Sequence, residues 1–309
     1  MNNKGYSPKV VSLDNNIIIK NIEDFDLKET LECGQCFHFL NIEESENNNY
    51  TYLLSSFNKG LKIEQKNGNL IFHDTTLDEY NNIWKGASST GGGIKVSRFL
   101  IVVKSIKKEI GDASPELRDI IEENNGIRLL NQDFFETLIS FIISQNNQIP
   151  RIKKLVNDIS EKWGSKSFAD FDTLYNFPDA RTLSVATEED LRELKTGFRA
   201  PYIVDAITKF NSGEINEEEL RTIDTAECEK ELCIIKGVGN KVANCVMLFS
   251  LGKRDSFPID VWMKRVLEQV YFNGEDKSKE YLFEFSKDKF GDLGGYAQQY
   301  LFAFARGIR

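Results

Sequence analysis

The chain is poor in the residue types that most metal and redox chemistry needs. Histidine occurs twice in 309 residues, as His38 and His73, too few imidazoles for a His-based zinc centre. Cysteine occurs five times, at Cys33, Cys36, Cys228, Cys233 and Cys245. An odd, scattered set argues for reduced thiols over a disulfide framework. Cys33 and Cys36 have CxxC spacing without a second pair nearby, so plain local packing outweighs a redox pair or half a metal site. The four-cysteine run that an iron–sulfur cluster needs does not occur. Also missing is any stretch approaching the roughly twenty apolar residues that cross a bilayer, and the start, MNNKGYSPKV, is polar. An intracellular protein without membrane contact is expected.

Positive charge is short as well. Lys and Arg number 39 against 48 Asp and Glu, a net charge of −9, and the isoelectric point is near 5.1. That balance opposes nonspecific attraction to nucleic-acid phosphates. The deficit is uneven, however. Acidic residues collect in Glu43–Glu46, Asp78–Glu79 and Glu217–Glu219. The stretch from Lys236 to Arg265 instead carries Lys236, Lys241, Lys253, Arg254, Lys264 and Arg265 against Asp255 and Asp260. One basic face on an otherwise acidic protein is the expectation.

Large apolar side chains are plentiful: 22 Phe, 10 Tyr and 3 Trp, enough burial energy to exclude a disordered chain. Short strand patterns lie at Val10–Leu13, Ile17–Ile19, Cys36–Leu40, Thr51–Ser55, Leu61–Gln65 and Asn69–Phe72. Between the last two, Lys66–Asn67–Gly68 reads as a hairpin, because Asn and Gly accept positive φ. The Ala87–Gly93 stretch lacks the ordered GxxxxGK[ST] pattern, so a flexible loop outweighs a phosphate loop.

Helical periodicity takes over from Lys95. It predicts Phe99–Ile110, Gln132–Ser144, Ile149–Trp163, Phe168–Tyr175, Thr187–Lys195, Arg199–Asn211, Ile215–Thr222, Thr225–Ile235, Asn240–Leu251, Asp260–Tyr271, Lys277–Phe290 and Gly294–Ala305. The fold class is therefore α+β. An antiparallel β-rich domain with its linker is expected over residues 1–94, and a helical unit of one or two subdomains over 95–309.

The segment Leu232–Cys245, LCIIKGVGNKVANC, runs an apolar helix end into a Gly–Val–Gly turn and straight into another helix. Gly237 and Gly239 allow a tight turn around Val238 whose backbone amides can meet a DNA phosphate. The segment resembles the helix-hairpin-helix motif, which serves both enzymes and noncatalytic DNA-binding proteins. Lys241 and, further on, Asp260 in Phe257–Pro258–Ile259–Asp260–Val261 add chemistry. A lysine is a nucleophile only as the neutral amine. A nearby carboxylate can accept a proton and offset positive charge on a sugar. The plainer readings are a solvated first-turn lysine and an N-cap aspartate.

Together these residues resemble the 8-oxoguanine DNA glycosylase family, over nearly the whole chain. The resemblance implies that Lys241 attacks the sugar and forms a Schiff base, that Asp260 assists base loss, and that Cys245 lines the damaged-base pocket; read alone, Cys245 is a small buried hydrophobe. Cys33–Gly34–Gln35–Cys36–Phe37 is similar to the family's GQxF segment, where the glycine carbonyl recognises the N7 hydrogen of the lesion; guanine has an acceptor there. Gly34 as a turn and Phe37 as core is the alternative. Gln298 and Phe302, four residues apart and so on one helix face, match the family residues set on the edge and the ring of the base. Asn146, Arg151 and Arg199 match positions that fill the vacated space or contact the cytosine left behind, and Phe198 matches an aromatic wedge. Without the resemblance, Phe198 would close a core and the arginines would be solvated.

Two departures stand out: Trp262 replaces a histidine of animal relatives, and Lys236 replaces a proline at the hairpin entrance. The resemblance implies a monomeric, bifunctional glycosylase and AP lyase acting on 8-oxoguanine opposite cytosine in double-stranded DNA. Such an enzyme needs no cofactor or catalytic metal; the resemblance allows a structural monovalent cation on the carbonyls of Ile235 and Val238. A related glycosylase for another damaged or mismatched base, and a noncatalytic helix-hairpin-helix protein, are the alternatives.

Overall fold

The computed structural model describes residues 9–22, 25–45, 49–56, 59–81, 99–167 and 174–307. Six antiparallel strands, β1 (Lys9–Leu13), β2 (Asn16–Lys20), β3 (Phe39–Ser45), β4 (Asn49–Ser56), β5 (Lys59–Lys66) and β6 (Asn69–Phe72), form one sheet in the order β1-β2-β6-β5-β4-β3. The Asn67–Gly68 turn is as expected: φ is 51° and 71°, and Lys66 pairs with Asn69. The strand predicted at Cys36 instead begins at Phe39. Ahead of it, α1 (Leu27–Glu32), capped by Asp26 on the Glu29 amide at 2.8 Å, runs into a turn with Gly34 at φ 81°. Alternating inward residues such as Ile17, Ile19, Tyr52, Ile63, Leu70 and Phe72 are fully buried.

The remaining helices are α2 (Leu77–Glu79), α3 (Phe99–Ala113), α4 (Glu116–Glu123), α5 (Phe134–Ser144), α6 (Ile149–Trp163), α7 (Ala180–Leu183) and α8 (Glu188–Glu193). After them come α9 (Ala200–Ser212), α10 (Glu217–Thr222), α11 (Thr225–Leu232), α12 (Asn240–Val246), α13 (Val261–Tyr271), α14 (Lys279–Phe290) and α15 (Gly294–Gly307). The predicted helix Asn240–Leu251 loosens into a π turn over Met247–Leu251. Of the predicted helix Phe168–Tyr175, residues 168–173 lie outside the described residues, as does the Ala87–Gly93 loop. Tyr175 forms an isolated antiparallel bridge with Lys166. Asn176 holds this irregular segment in place, accepting from Ser55 Oγ at 2.7 Å and Ser167 Oγ at 2.8 Å. No helix among the described residues is long and apolar enough to cross a membrane.

Helix α5, FFETLISFIIS, is apolar nearly all round and accordingly sits at the centre, packed against α6, α9 and α12. Each fully buried Phe, Leu or Ile of this kind contributes roughly 1.5–3 kcal/mol. Only Glu136 and Ser144 of α5 escape burial, and Ser144 is its last residue. Among the described residues three apolar clusters result: one inside the sheet, one around α5, and one joining α3, α4 and α13–α15. Their seam is lined by the ends of α5 and α12 and by one face of α15, with the turn after α1 alongside.

Candidate active site

A cavity of about 530 Å³ opens at that seam. Gly34, Lys241, Cys245, Asp260, Gln298 and Phe302, drawn from segments up to 268 residues apart, all line it. This volume lies in the range that encloses a small ligand, roughly 300–1,000 Å³.

The hairpin places the lysine. Gly237 has φ 78°, and a Cβ there would lie 2.2 Å from the Tyr202 ring, so backbone and packing both demand glycine. Gly239 is different. It is extended, with φ −117° and ψ −178°, and a Cβ would meet nothing within 4 Å. The hairpin closes through the Val238 amide, which donates to the Ile235 carbonyl at 2.9 Å. Helix α12 starts at Asn240, which puts Lys241 in its first turn and Cys245 one turn on. Lys241 Nζ donates to Ser144 Oγ at 3.2 Å and lies 5.2 Å from the centroid of the Phe141 ring. Burial pushes the Cys245 thiol up to about 11; Asp260 adds to this and Lys241 opposes it.

Asp260 is the N-cap of α13, where Oδ1 accepts from the Met263 amide at 2.7 Å. The N-cap reading therefore holds, and the same carboxylate faces the cavity. Asn244 ties the two chemical segments together. Its Nδ2 donates to Glu229 Oε2 at 2.6 Å and to Asn240 O at 2.8 Å, while its Oδ1 accepts from the Phe257 amide at 3.2 Å.

On the opposite side Gln298 and Phe302 share a face of α15, as their spacing predicts. Gln298 is 5% exposed, and its Oε1 is buried without a hydrogen-bond partner. A buried acceptor left open costs about 1–3 kcal/mol. A Cβ on Gly34 would approach the Phe302 ring to 3.0 Å, and the left-handed backbone there excludes most other residues.

The residues expected at the partner strand gather outside the cavity, at the turn after α5, in the first turn of α6 and at the short 3₁₀ helix Gly197–Arg199 before α9. Phe198 is 48% exposed rather than core, with Tyr202 edge-on at 6.0 Å. Asn146, at φ 47°, and Arg151 are exposed too. Arg151 Nη2 donates to Lys195 O at 3.1 Å. Arg199 is buried: Nε donates to Gln145 O at 2.9 Å, Nη1 to Thr196 O at 3.2 Å, and Nη2 to Gln145 O and Asn146 O. Four of its guanidinium hydrogens thus serve the chain's own carbonyls. This was not visible in the sequence, where Arg199 reads as a solvated arginine and only the family resemblance makes it a contact to the partner strand.

The basic stretch also needs correction. Lys253 donates to the carbonyls of Arg221 and Ile223, Arg254 to Leu248 O, and Lys264 pairs with Glu268 and Asp276. Those three charges cap carbonyls or meet carboxylates inside the chain. Lys236 and Arg265 stay exposed.

The family described as HhH-GPD superfamily base excision DNA repair protein matches residues 139–291, and that described as 8-oxoguanine DNA glycosylase, N-terminal domain, matches residues 17–92. The N-glycosylase/DNA lyase OGG1 of Arabidopsis thaliana is 30% identical over 212 residues, 65% of this chain. The N-glycosylase/DNA lyase of Saccharomyces cerevisiae is 37% identical over 158 residues, 47% of this chain. The alignments span 58% of the plant protein and 42% of the yeast one. The "Probable N-glycosylase/DNA lyase" of Methanothermobacter thermautotrophicus is 29% identical over 206 residues, 60% of this chain and 65% of that protein. Among solved structures, the Clostridium acetobutylicum 8-oxoguanine glycosylase/lyase in complex with DNA containing cytosine opposite 8-oxoguanine superposes with a TM-score of 0.86. It is 36% identical over 98% of this chain and 99% of that one. This chain belongs to the 8-oxoguanine DNA glycosylase family.

Within an 8-oxoguanine DNA glycosylase scaffold, the two departures take definite positions. Trp262 is 46% exposed at the cavity mouth, and the Arg265 guanidinium lies 5.4 Å from its ring. The Lys236 amide donates to Asp205 Oδ2 at 2.7 Å, using an N–H that a proline there would lack. Sequence reasoning missed Ser144 and Phe141, which hold the lysine, because a serine ending a helix and a phenylalanine inside it carry no signal beyond capping and core.

Proposed function

We propose that this protein is a bifunctional DNA glycosylase and AP lyase that excises 8-oxoguanine from duplex DNA, with cytosine as the favoured partner base. The observation that carries this reading is the convergence on one cavity of Lys241, Asp260 and Gln298, with Phe302 and Gly34 on the same lining. An amine and a carboxylate alone would suit many reactions. The added carboxamide and aromatic ring suit a flat heterocycle with a hydrogen-bonding edge.

A stacked base cannot reach an amine inside a cavity, so the nucleotide leaves the duplex before reaction. Gln298 accepts from the edge of the base, Phe302 lies against its ring, and the Gly34 carbonyl accepts the N7 hydrogen that guanine lacks. Lys241, as the neutral amine, forms a bond to C1′ as the C1′–N9 bond breaks, and the base departs with that electron pair and takes up a proton. Asp260 places negative charge beside the positive sugar at that moment. Loss of a proton from nitrogen and opening of the C1′–O4′ bond, with O4′ protonated, give the Schiff base. Removal of a C2′ proton then expels the 3′ phosphate and cuts the strand. Water finally releases Lys241.

The exposed Asn146 and Phe198 fill the space that the nucleotide leaves, and Arg151 reads the orphaned cytosine. Arg199 acts mainly by holding the turn that carries Asn146, with one guanidinium hydrogen left for the partner base. The Gly237–Gly239 amides take a phosphate. Ile235 O retains a second lone pair beyond its bond to the Val238 amide, so a monovalent cation on the Ile235 and Val238 carbonyls would brace the hairpin without entering the chemistry. The protein acts as a monomer. Duplexes carrying 8-oxoguanine opposite each normal base, with alkylated adenine, uracil and thymine mismatches in parallel, test the reading. Release of 8-oxoguanine, fastest opposite cytosine, is expected; faster release of any other base overturns it.

A further inference from the structure

The end of α5 bears on the lysine in a way that capping alone does not require. Ser144 Oγ donates its hydrogen to Phe141 O at 2.7 Å. A hydroxyl has one hydrogen, so Oγ meets Lys241 Nζ, 3.2 Å away, only as an acceptor. The direction of the contact is therefore settled. The Phe141 ring beneath the amine is itself fixed, stacked on Phe249 at 5.6 Å and met edge-on by Phe37 at 5.6 Å. Beyond Ser144, the carbonyls of Gln145 and Asn146 are clamped by Arg199. Ser144 thus stands on a segment braced from both sides, and it lines the same cavity as Lys241. A lysine side chain has four rotatable bonds, and holding its end at one point removes most of that freedom.

We propose that Ser144 is the positioning residue for Lys241, its hydroxyl oxygen fixing the line along which the amine approaches C1′ of an extruded nucleotide. This rests on Lys241 being the nucleophile. The competing role is structural: the Ser144 hydroxyl satisfies a helix-end carbonyl and nothing more. That role predicts a loss of stability without a loss of rate per folded molecule.

The test uses the full chain and a duplex with a preformed abasic site, which removes base recognition from the measurement. Borohydride trapping is followed in single turnover with saturating enzyme, for the wild type, Ser144→Ala and Ser144→Thr, with DNA affinity and melting temperature measured alongside. Ser144→Ala is expected to trap about tenfold to a hundredfold more slowly at unchanged affinity, because misplacement by about 1 Å is costly. Ser144→Thr keeps a hydroxyl that can make the same bond to the carbonyl one turn back, and should stay within about threefold of wild type. Wild-type trapping by Ser144→Ala, equal slowing in both variants, or slowing that follows affinity or melting temperature overturns the proposal. If the wild type itself forms no adduct, the nucleophile assignment falls and takes this inference with it.

Discussion

Asp260 Oδ1 accepts from the Met263 amide at 2.7 Å, so one carboxylate both caps α13 and borders the reactive cavity. The two roles separate in Asp260→Asn. Asparagine caps helices about as well as aspartate, which keeps the stability change to a few tenths of a kcal/mol. The loss of negative charge should slow base release about a hundredfold in single turnover. A collapsed melting temperature with a normal rate per folded molecule would leave Asp260 as a cap only.

The two arginines should differ in kind. Arg199→Ala strands the carbonyls of Gln145, Asn146 and Thr196 and should cost roughly 2–4 kcal/mol of stability, read as a lower melting temperature. Arg151→Ala, at an exposed position, should leave the melting temperature unchanged and shrink the ratio of excision rates opposite cytosine and adenine. Equal slowing opposite both bases at fixed salt would make Arg151 a phosphate contact instead.

The hairpin glycines offer a similar contrast. Gly237→Ala sets a methyl group into the Tyr202 ring at a left-handed backbone position and should destabilise the fold by about 2–4 kcal/mol. Gly239→Ala meets nothing within the chain, so its melting temperature should stay near wild type while duplex affinity falls. Wild-type affinity in Gly239→Ala would show that no phosphate approaches that backbone.

Gln298→Ala should weaken lesion discrimination without touching the chemistry of the sugar. Losing one buried hydrogen bond to the base should reduce single-turnover excision of 8-oxoguanine about tenfold, while trapping on a preformed abasic site stays at the wild-type rate. A matching loss on abasic DNA would place Gln298 in the chemistry or the packing.

The GVG turn leading into Lys241, and Pro258 and Asp260 before a helix, could be read from sequence because they are local signatures, whereas Gln298 and Phe302 were singled out only by the family resemblance, their spacing giving no more than a shared helix face. Each sits where it does for short-range reasons, a turn conformation, a cap or a helical repeat. Ser144 and the Arg199 clamp were illegible for the opposite reason. Lys241 meets Ser144 across 97 residues and Arg199 meets Gln145 across 54, and neither sequence neighbourhood implies the other. The basic stretch misled in the same way: Lys253, Arg254 and Lys264 look like a DNA face until their carbonyl and carboxylate partners are seen. In the sheet, Asn67–Gly68 announced its hairpin, whereas α1 is six residues held by an Asp26 cap and passes unnoticed in any periodic pattern.

The central claim is that Lys241 makes the covalent bond to the sugar. Lys241→Gln keeps most of the side-chain length and removes the nucleophilic amine. The decisive measurement is borohydride trapping on a duplex with one 8-oxoguanine opposite cytosine, for wild type and Lys241→Gln at equal lesion-DNA occupancy. The account predicts a covalent protein–DNA adduct with wild type and none with Lys241→Gln, which still folds and binds the duplex. A normal yield of adduct from Lys241→Gln would contradict it.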